Sequence, residues 1–265
     1  MTDYKFITST NKNNILKFNK RYSDKIKSSL PFFNEDFYQT TNPIIAGSFI
    51  LREVFSNTSS YEDIDLYFTT SETRDIADSY LQDIGNLVFD TQFATTYLIG
   101  TRMRLQIIKT IYKTPISLIS SFDITPAMIC YQPKNNSFTY EIGCLYSWYR
   151  KFIKLNTSPL FDFIEINQTN HKEAFLYYNL LSRRLKKYSS RYSMKIDSDL
   201  IARLNHMKDT IISYCASVYT KYTYYYTDSS GNKAKIDINS SNIEEYLTSL
   251  LDFKDETLLP QQRNL

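Results

Sequence analysis

A mixed α+β fold, with a small mixed β-sheet in the N-terminal half and a mostly helical C-terminal half, is predicted by three features of this 265-residue chain. Residues Ile44 to Phe68 read as an apolar strand, Gly47-Ser48, a short amphipathic helix, a polar turn and a second strand. Between Asn86 and Thr110 lie two β-rich runs, with Gly100-Thr101 as the turn between them. After Tyr140 the strand-like text gives way to apolar residues at helical spacing, which sets a domain boundary at 140–146. The organisation expected is a polar segment over 1–18, an α/β domain over 19–142 and a mainly helical domain over 143–265, with a β-hairpin near 219–238.

Composition narrows the function classes. A net charge of +3 is too small to argue for nucleic acid by itself. Only 5 residues are glycine, against a usual share of about 7 %, so each glycine marks a position worth explaining. Cys130, Cys144 and Cys215 are odd in number and widely spaced, which fits buried thiols in a reducing compartment. No stretch approaches the roughly 20 apolar residues of a membrane span, and no signal peptide is recognisable, so no membrane partner and a cytoplasmic location are expected. His171 and His206 are the only histidines, too few for a histidine-based zinc site. The chain has no G-x-S-x-G, no P-loop and no G-x-G-x-x-G.

Taken in order, residues 1–18 are rich in Asn and Lys and are expected to be poorly ordered. A helix over Asn19–Leu30 follows from Tyr22, Ile26 and Leu30, with Pro31 ending it. Phe32, Phe33 and Phe37 read as core plugs, and Pro43 introduces the first strand. The helix opened by Ser48 sets Leu51 and Phe55 inward and Arg52 and Glu53 outward, Arg52 being read as a surface residue. Ser71 is read as the cap of a helix running to about Ile84. In the second β-run, Arg102, Arg104, Gln106 and Ile108 share one face, opposite Met103, Leu105 and Ile107. If the polar face fronts a cleft its arginines can touch phosphate; otherwise it is a solvated strand face. Pro115 to Ser121 is a short helix leading to Phe122-Asp123. The run from Asp123 to Tyr131 has strand character, irregular or at an edge because Pro126 cannot donate to a ladder.

In the second half, helices are expected over about Leu145–Leu155, with Trp148 in its core face, and over Asn170–Tyr188. The latter carries Ala174, Tyr177, Leu181, Leu185 and Tyr188 inward. A third helix spans Ser198 to about Tyr219, burying Leu200, Leu204, Met207, Ile211 and Cys215. Tyr222–Thr227 and Lys233–Ile238 form a hairpin with Gly231 at its turn, and a short helix covers Asn242–Leu251.

The chemistry concentrates in Ile44–Phe68. On a strand alternate residues share a face, so Asp63 and Asp65 point the same way, with Cα atoms roughly 6.5 Å apart. That spacing suits carboxylates that bracket divalent ions about 3.5–4 Å apart. Gly47-Ser48 sits where a strand becomes a helix, and the first free N–H groups of a helix favour phosphate. A phosphate cradle followed by a metal-binding pair is the layout that nucleotidyl transfer requires.

These residues, G-S at 47–48 and D-I-D at 63–65, resemble the nucleotidyltransferase superfamily, the minimal DNA polymerase β-like fold. The arrangement LQII…P-x-x-L-x-x-FD over 105–123 resembles nucleotidyltransferase-like proteins of phages and other mobile elements, which would set the chain in an infected bacterial host. The resemblance covers roughly residues 43–195 and implies Asp63, Asp65 and Asp123 as catalytic, metal-ligating carboxylates for Mg²⁺ or Mn²⁺. Asp90 is the poorer substitute for Asp123. It further implies a nucleoside triphosphate bound at Gly47 and Ser48. The basic helix tail RRLKKYSSR at 183–191 either caps a solvated helix end or, as the resemblance implies, contacts phosphate or nucleic acid through Arg184 and Lys187. The expected reaction moves a nucleoside monophosphate from the triphosphate to a hydroxyl on an RNA end, a protein or a small molecule. A reading of another class is a retired fold of this type that serves as a viral structural or binding module; three retained acids weigh against it.

Overall fold

The computed structural model describes residues 12–55, 63–156, 171–218, 222–227, 233–239 and 241–251. It divides into two compact units, Met1–Arg150 and Lys151–Leu265.

The first unit is built on a seven-stranded mixed sheet in the order β3-β4-β5-β2-β1-β6-β7. Its first helix, α1 (Lys12–Ser28), begins seven residues before the expected Asn19. The Phe32–Phe37 text does form a plug: Phe33 and Phe37 stack with ring centroids 4.1 Å apart, ahead of and within α2 (Glu35–Thr41). Asn34 caps α2 by accepting from the Phe37 amide at 2.7 Å. The short strand β1 (Ile44–Ala46) then lies buried between two neighbours, antiparallel to each. Gly47 follows with φ +78°, and α3 (Ser48–Phe55) starts at once.

The return strand β2 (Ile64–Phe68) pairs antiparallel with β1 and parallel with β5 (Met103–Ile111). Between them come α4 (Ser71–Ile84), β3 (Asn86–Asp90) and β4 (Ala94–Ile99). Two local expectations change. The cap of α4 is Thr70, whose hydroxyl accepts from the Thr73 amide at 3.2 Å, so Ser71 is the first helical residue. The text over 86–110 gives three strands instead of two runs, because Thr91 turns the chain by accepting from the amides of Phe93 and Ala94.

The sheet has two unlike faces. On one, Ile64, Leu66, Leu105 and Ile107 are all at most 1 % exposed. Tyr97 lies in register with Leu105 on this face and donates from its hydroxyl to Asp78 of α4 at 2.8 Å, which fixes α4 here. The other face carries Ala46, Asp65, Tyr67 and Gln106. Tyr112 and Phe122 pack edge-on to the Tyr67 ring at 5.9 and 6.3 Å, so the chain that follows β5 crosses this second face. That chain holds α5 (Pro115–Ser120), closed at its start by a reciprocal Thr114–Ser117 capping box.

Pro126 has the expected effect, with a finer outcome. Thr125–Ala127 forms a single 3₁₀ turn, and the ladder resumes only at β6 (Ile129–Gln132), which pairs with β1 and with β7 (Ser137–Tyr140). The next helix, α6 (Ile142–Arg150), ends earlier than Leu155, since Lys151 turns out at φ +55°. Trp148 is fully buried as expected: it stacks on Phe55 at 4.7 Å and donates its indole N–H to the Pro126 carbonyl at 2.8 Å.

The second unit contains the two-stranded parallel pair β8 (Phe152–Ile153) and β9 (Lys195–Ile196) and the helices α7 (His171–Tyr192) and α8 (Ser198–Val218). Strands β10 (Tyr222–Thr227) and β11 (Lys233–Ile238) form the expected hairpin, followed by α9 (Ile243–Leu251). The inward-facing set of α7 is buried as the helical spacing required: Ala174, Tyr177, Leu181, Leu185 and Tyr188 are at most 9 % exposed. The turn at Gly231 and the burial of Cys215 lie outside the described residues, as do most of the polar segment at the start and the polar turn before Asp63.

Candidate functional site

The site is assembled at one end of the sheet. Strands β1 and β2 are antiparallel, with Ala46 opposite Asp65, so the end of β1 and the start of β2 coincide. There Gly47 is needed for two separate reasons. Its φ of +78° belongs to a region that side chains rarely enter. A Cβ at Gly47 would also collide with Oδ2 of Asp65 and stand 3.4 Å from its Cγ. The missing side chain is therefore the space that the Asp65 carboxylate occupies. Ser48 is half-buried in the first turn of α3, and the Gly47 carbonyl accepts the helix's early bond from Leu51 at 3.3 Å. The first turn of α3 thus begins next to the carboxylate.

Asp63 and Asp65 are both half-buried, and Oδ1 of Asp63 is buried. Asp123 is 8 % exposed with its own Oδ1 buried. Its neighbour Phe122 packs on Tyr67, which alternates with Asp65 on β2; the segment bearing Asp123 thus lies over the same face as the acidic pair. Behind it, the Thr125 and Ser147 hydroxyls are hydrogen-bonded at 2.7 Å, and the Pro126 carbonyl takes the Trp148 N–H, so α6 holds this segment in place.

Mg²⁺ is ordinarily held by one or two carboxylates together with substrate phosphates and water, and only seldom by an all-protein cage. Asp65 on β2 and Asp63 immediately before that strand, and so not on the strand itself as expected, fit that donor set as hard oxygens beside a helix N-terminus. Among the described residues no group of three or more His, Cys, Asp or Glu side chains is arranged to hold an ion.

Arg52, expected on the surface, is mostly covered: its side chain is 15 % exposed, it pairs with Glu53 and its guanidinium lies 5.6 Å from the Phe49 ring centroid. Glu53, also expected outward, is 4 % exposed and takes a second cation, Lys25, at 3.2 Å. A buried carboxylate needs such partners, and they occupy Arg52. Asp90 is exposed and held below the usual carboxylate range by hydrogen bonds from Lys109, at 2.7 Å, and Thr95. In the second unit, Arg184 is exposed and Lys187 half-buried on α7, while the adjacent Arg183 donates to Asn179 at 2.8 Å.

Sequence reasoning missed which polar strand face joins the site. Asp65 lies in register with Gln106, so the face of Arg104 and Gln106 is the face of Asp65. Alternation within β5 marked that face as polar, but only strand pairing shows what it adjoins.

Three solved structures illustrate what the chain is similar to. It has 14 % identity to the Thermotoga maritima CCA-adding enzyme complexed with tRNA, with 79 % of this chain and 46 % of that one covered at a TM-score of 0.49. A tRNA-processing enzyme in an apo form matches at 10 % identity over 83 % and 56 % of the two chains, TM-score 0.47. A tRNA nucleotidyltransferase complexed with a primer tRNA and an incoming ATP analogue matches at 12 % over 66 % and 52 %, TM-score 0.43. The chain thus spans about half the length of these proteins. No curated protein matches it. The family described as Gad2, Gabija anti-defense 2 family protein, matches residues 8–151, which take in all seven strands of the sheet together with Gly47, Asp63, Asp65 and Asp123. With more than half of its length inside that match, the chain belongs to the Gabija anti-defense 2 family.

Proposed function

We propose that this protein is a metal-dependent nucleotidyltransferase that moves a nucleoside monophosphate from a triphosphate to a hydroxyl, and that it does so to counter a host defence. The observation that carries the reading is the fit of the Asp65 carboxylate into the space left by Gly47, beside the residue that opens α3. The family's description motivates the anti-defence role.

In this mechanism Gly47 and Ser48 receive the phosphates, through backbone N–H groups and the positive end of α3. Asp63 and Asp65 would hold Mg²⁺ or Mn²⁺, which supplies charge neutralisation on the phosphate oxygens. Asp123 orients the acceptor hydroxyl and accepts its proton. Catalysis is then mainly positioning and electrostatics. We further assign Arg184 and Lys187, on α7 of the second unit, to contacts with phosphate or nucleic acid. An RNA end is the acceptor class to try first, ahead of a protein hydroxyl.

A second reading follows from the same family description: the fold blocks a defence protein by binding it, without chemistry. One experiment separates the two. The purified chain is incubated with each labelled nucleoside triphosphate, Mg²⁺ or Mn²⁺, and total RNA or lysate protein. The transferase reading expects a labelled macromolecule with wild type and none with Asp63→Asn/Asp65→Asn. No label in any combination, with defence still inhibited by the double variant, establishes the binding reading instead.

A further inference from the structure

We propose that Arg104 and Gln106 form a phosphate-binding pair beside the two acids, taking phosphate oxygens either of the triphosphate or of a nucleic-acid acceptor. The inference rests on reading the Asp65 face as a triphosphate site. Strand register carries it. In the parallel β2–β5 pair, Asp65 is matched with Gln106 and Ile64 with Leu105. Arg104, two residues before Gln106 on β5, shares its face, and Asp63 immediately precedes the first paired residue of β2. Matched residues on neighbouring strands share a face, and Leu105 and Ile107, which point the other way, are at most 1 % exposed in the core. Arg104 is exposed and Gln106 half-buried, so a guanidinium and an amide lie on the face of Asp65, on the strand that flanks β2 opposite to β1 and Gly47.

The chemistry of the two groups points to phosphate. A guanidinium presents a fork of donors matched to phosphate oxygens, and an amide N–H₂ adds a neutral donor. Two carboxylates would repel phosphate by themselves, so a site that must accept it gains from a cation at their edge. Gln106 is uncharged where it adjoins Asp65, and so offers a donor without adding a third negative charge to that row. Were Arg104 only a solvated residue on a strand face, its removal would leave ligand affinity alone.

Two binding arms test the proposal on the full chain, using fluorescence anisotropy at three salt concentrations. One uses a labelled triphosphate with a non-hydrolysable α,β-methylene bridge plus Mg²⁺; the other uses a labelled single-stranded RNA. Arg104→Gln is expected to weaken at least one of them about tenfold, the scale of one charge-assisted hydrogen bond. Arg104→Lys should recover part of that loss, and Gln106→Leu should weaken the same probe. Loss confined to the methylene triphosphate assigns the pair to the nucleotide. Loss confined to RNA, with a salt slope lower by about one unit, assigns it to an acceptor backbone. Wild-type affinity for both probes in Arg104→Gln, or a wild type that binds neither, overturns the proposal. Thermal unfolding of each variant checks that the sheet is intact. If the chain transfers no nucleotide and Arg104→Gln still weakens the triphosphate probe, the transferase reading falls and the phosphate pair stands.

Discussion

At Gly47 two constraints meet, and each rules out a side chain. A substitute there must adopt φ +78° and must also displace the Asp65 carboxylate. The backbone cost alone is about 1–2 kcal/mol. Gly47→Ala is therefore expected to lower the unfolding free energy by at least that amount and to abolish nucleotide transfer even where the protein stays folded; denaturant titration and a transfer assay check the two parts. Much of this was legible in the sequence, because glycine is scarce and the Gly-Ser and Asp-x-Asp spacing is fixed by the strand–helix–strand path. Glu53 was not legible. Helical periodicity puts it outward, but α1 lies over it and supplies Lys25, and no local pattern encodes that long-range cover. The cysteines were legible in kind: Cys130 and Cys144 are free and buried. Burial pushes the Cys130 thiol up to about 12 from an ordinary 9.0. A raised folded-state value means that stability is whole below the unfolded thiol's pKa and falls as pH rises toward the folded one. Unfolding free energy should accordingly decline between about pH 9 and 12, less steeply in Cys130→Ala, as urea titrations across that range would report. A flat difference between the two proteins would contradict it.

At the scale of elements, α3 is tied to α1 by the Lys25–Glu53–Arg52 cluster as well as by its apolar face. Removing one partner of a buried ion pair costs about 3–5 kcal/mol. Glu53→Ala should fall near the low end, since Lys25 is 48 % exposed and can return to water. A loss under about 1 kcal/mol in a denaturant titration, the scale of a surface pair, would mean that the cluster adds little to holding α3. The basic stretch of α7 tests differently. α7 runs on to Tyr192, so Arg184 and Lys187 lie more than a turn inside its end; if they are only solvated residues of the helix, changing both to Gln alters stability by no more than about 0.5 kcal/mol and nothing else. The proposed phosphate interaction expects weaker RNA or triphosphate binding as well, and for RNA a salt slope flatter by about one unit for each phosphate no longer neutralised. Parallel binding isotherms of equal affinity would leave both as solvated residues of α7. Element existence was readable here from the 3.6-residue period, whereas ends were not: Lys151 and Thr70 set their boundaries through φ and a side-chain cap that neighbouring text does not advertise.

At the scale of the whole molecule, the strand order β3-β4-β5-β2-β1-β6-β7 decides what the site contains. The sequence shows an acidic strand and, forty residues later, a polar strand face; nothing local says that β5 inserts between β4 and β2, parallel to the latter. That single pairing makes Gln106 a neighbour of Asp65 and sets Arg104 on the same face. Likewise, Phe122 settling on Tyr67 brings the Asp123 segment over the acidic face, through a contact between residues 55 positions apart in sequence. The central claim is that Asp63 and Asp65 hold a divalent ion together with a triphosphate, and a thermal shift measures it most directly. At a hundredfold excess over Kd, Mg²⁺ with the α,β-methylene triphosphate should stabilise the native state by about 2.7 kcal/mol, raising the melting temperature by several degrees. Asp63→Asn/Asp65→Asn should melt at or slightly above the wild-type temperature without ligand, since two like charges are gone, and should show no rise with it. An equal metal-dependent rise in the double variant, or none in the wild type, would contradict the account.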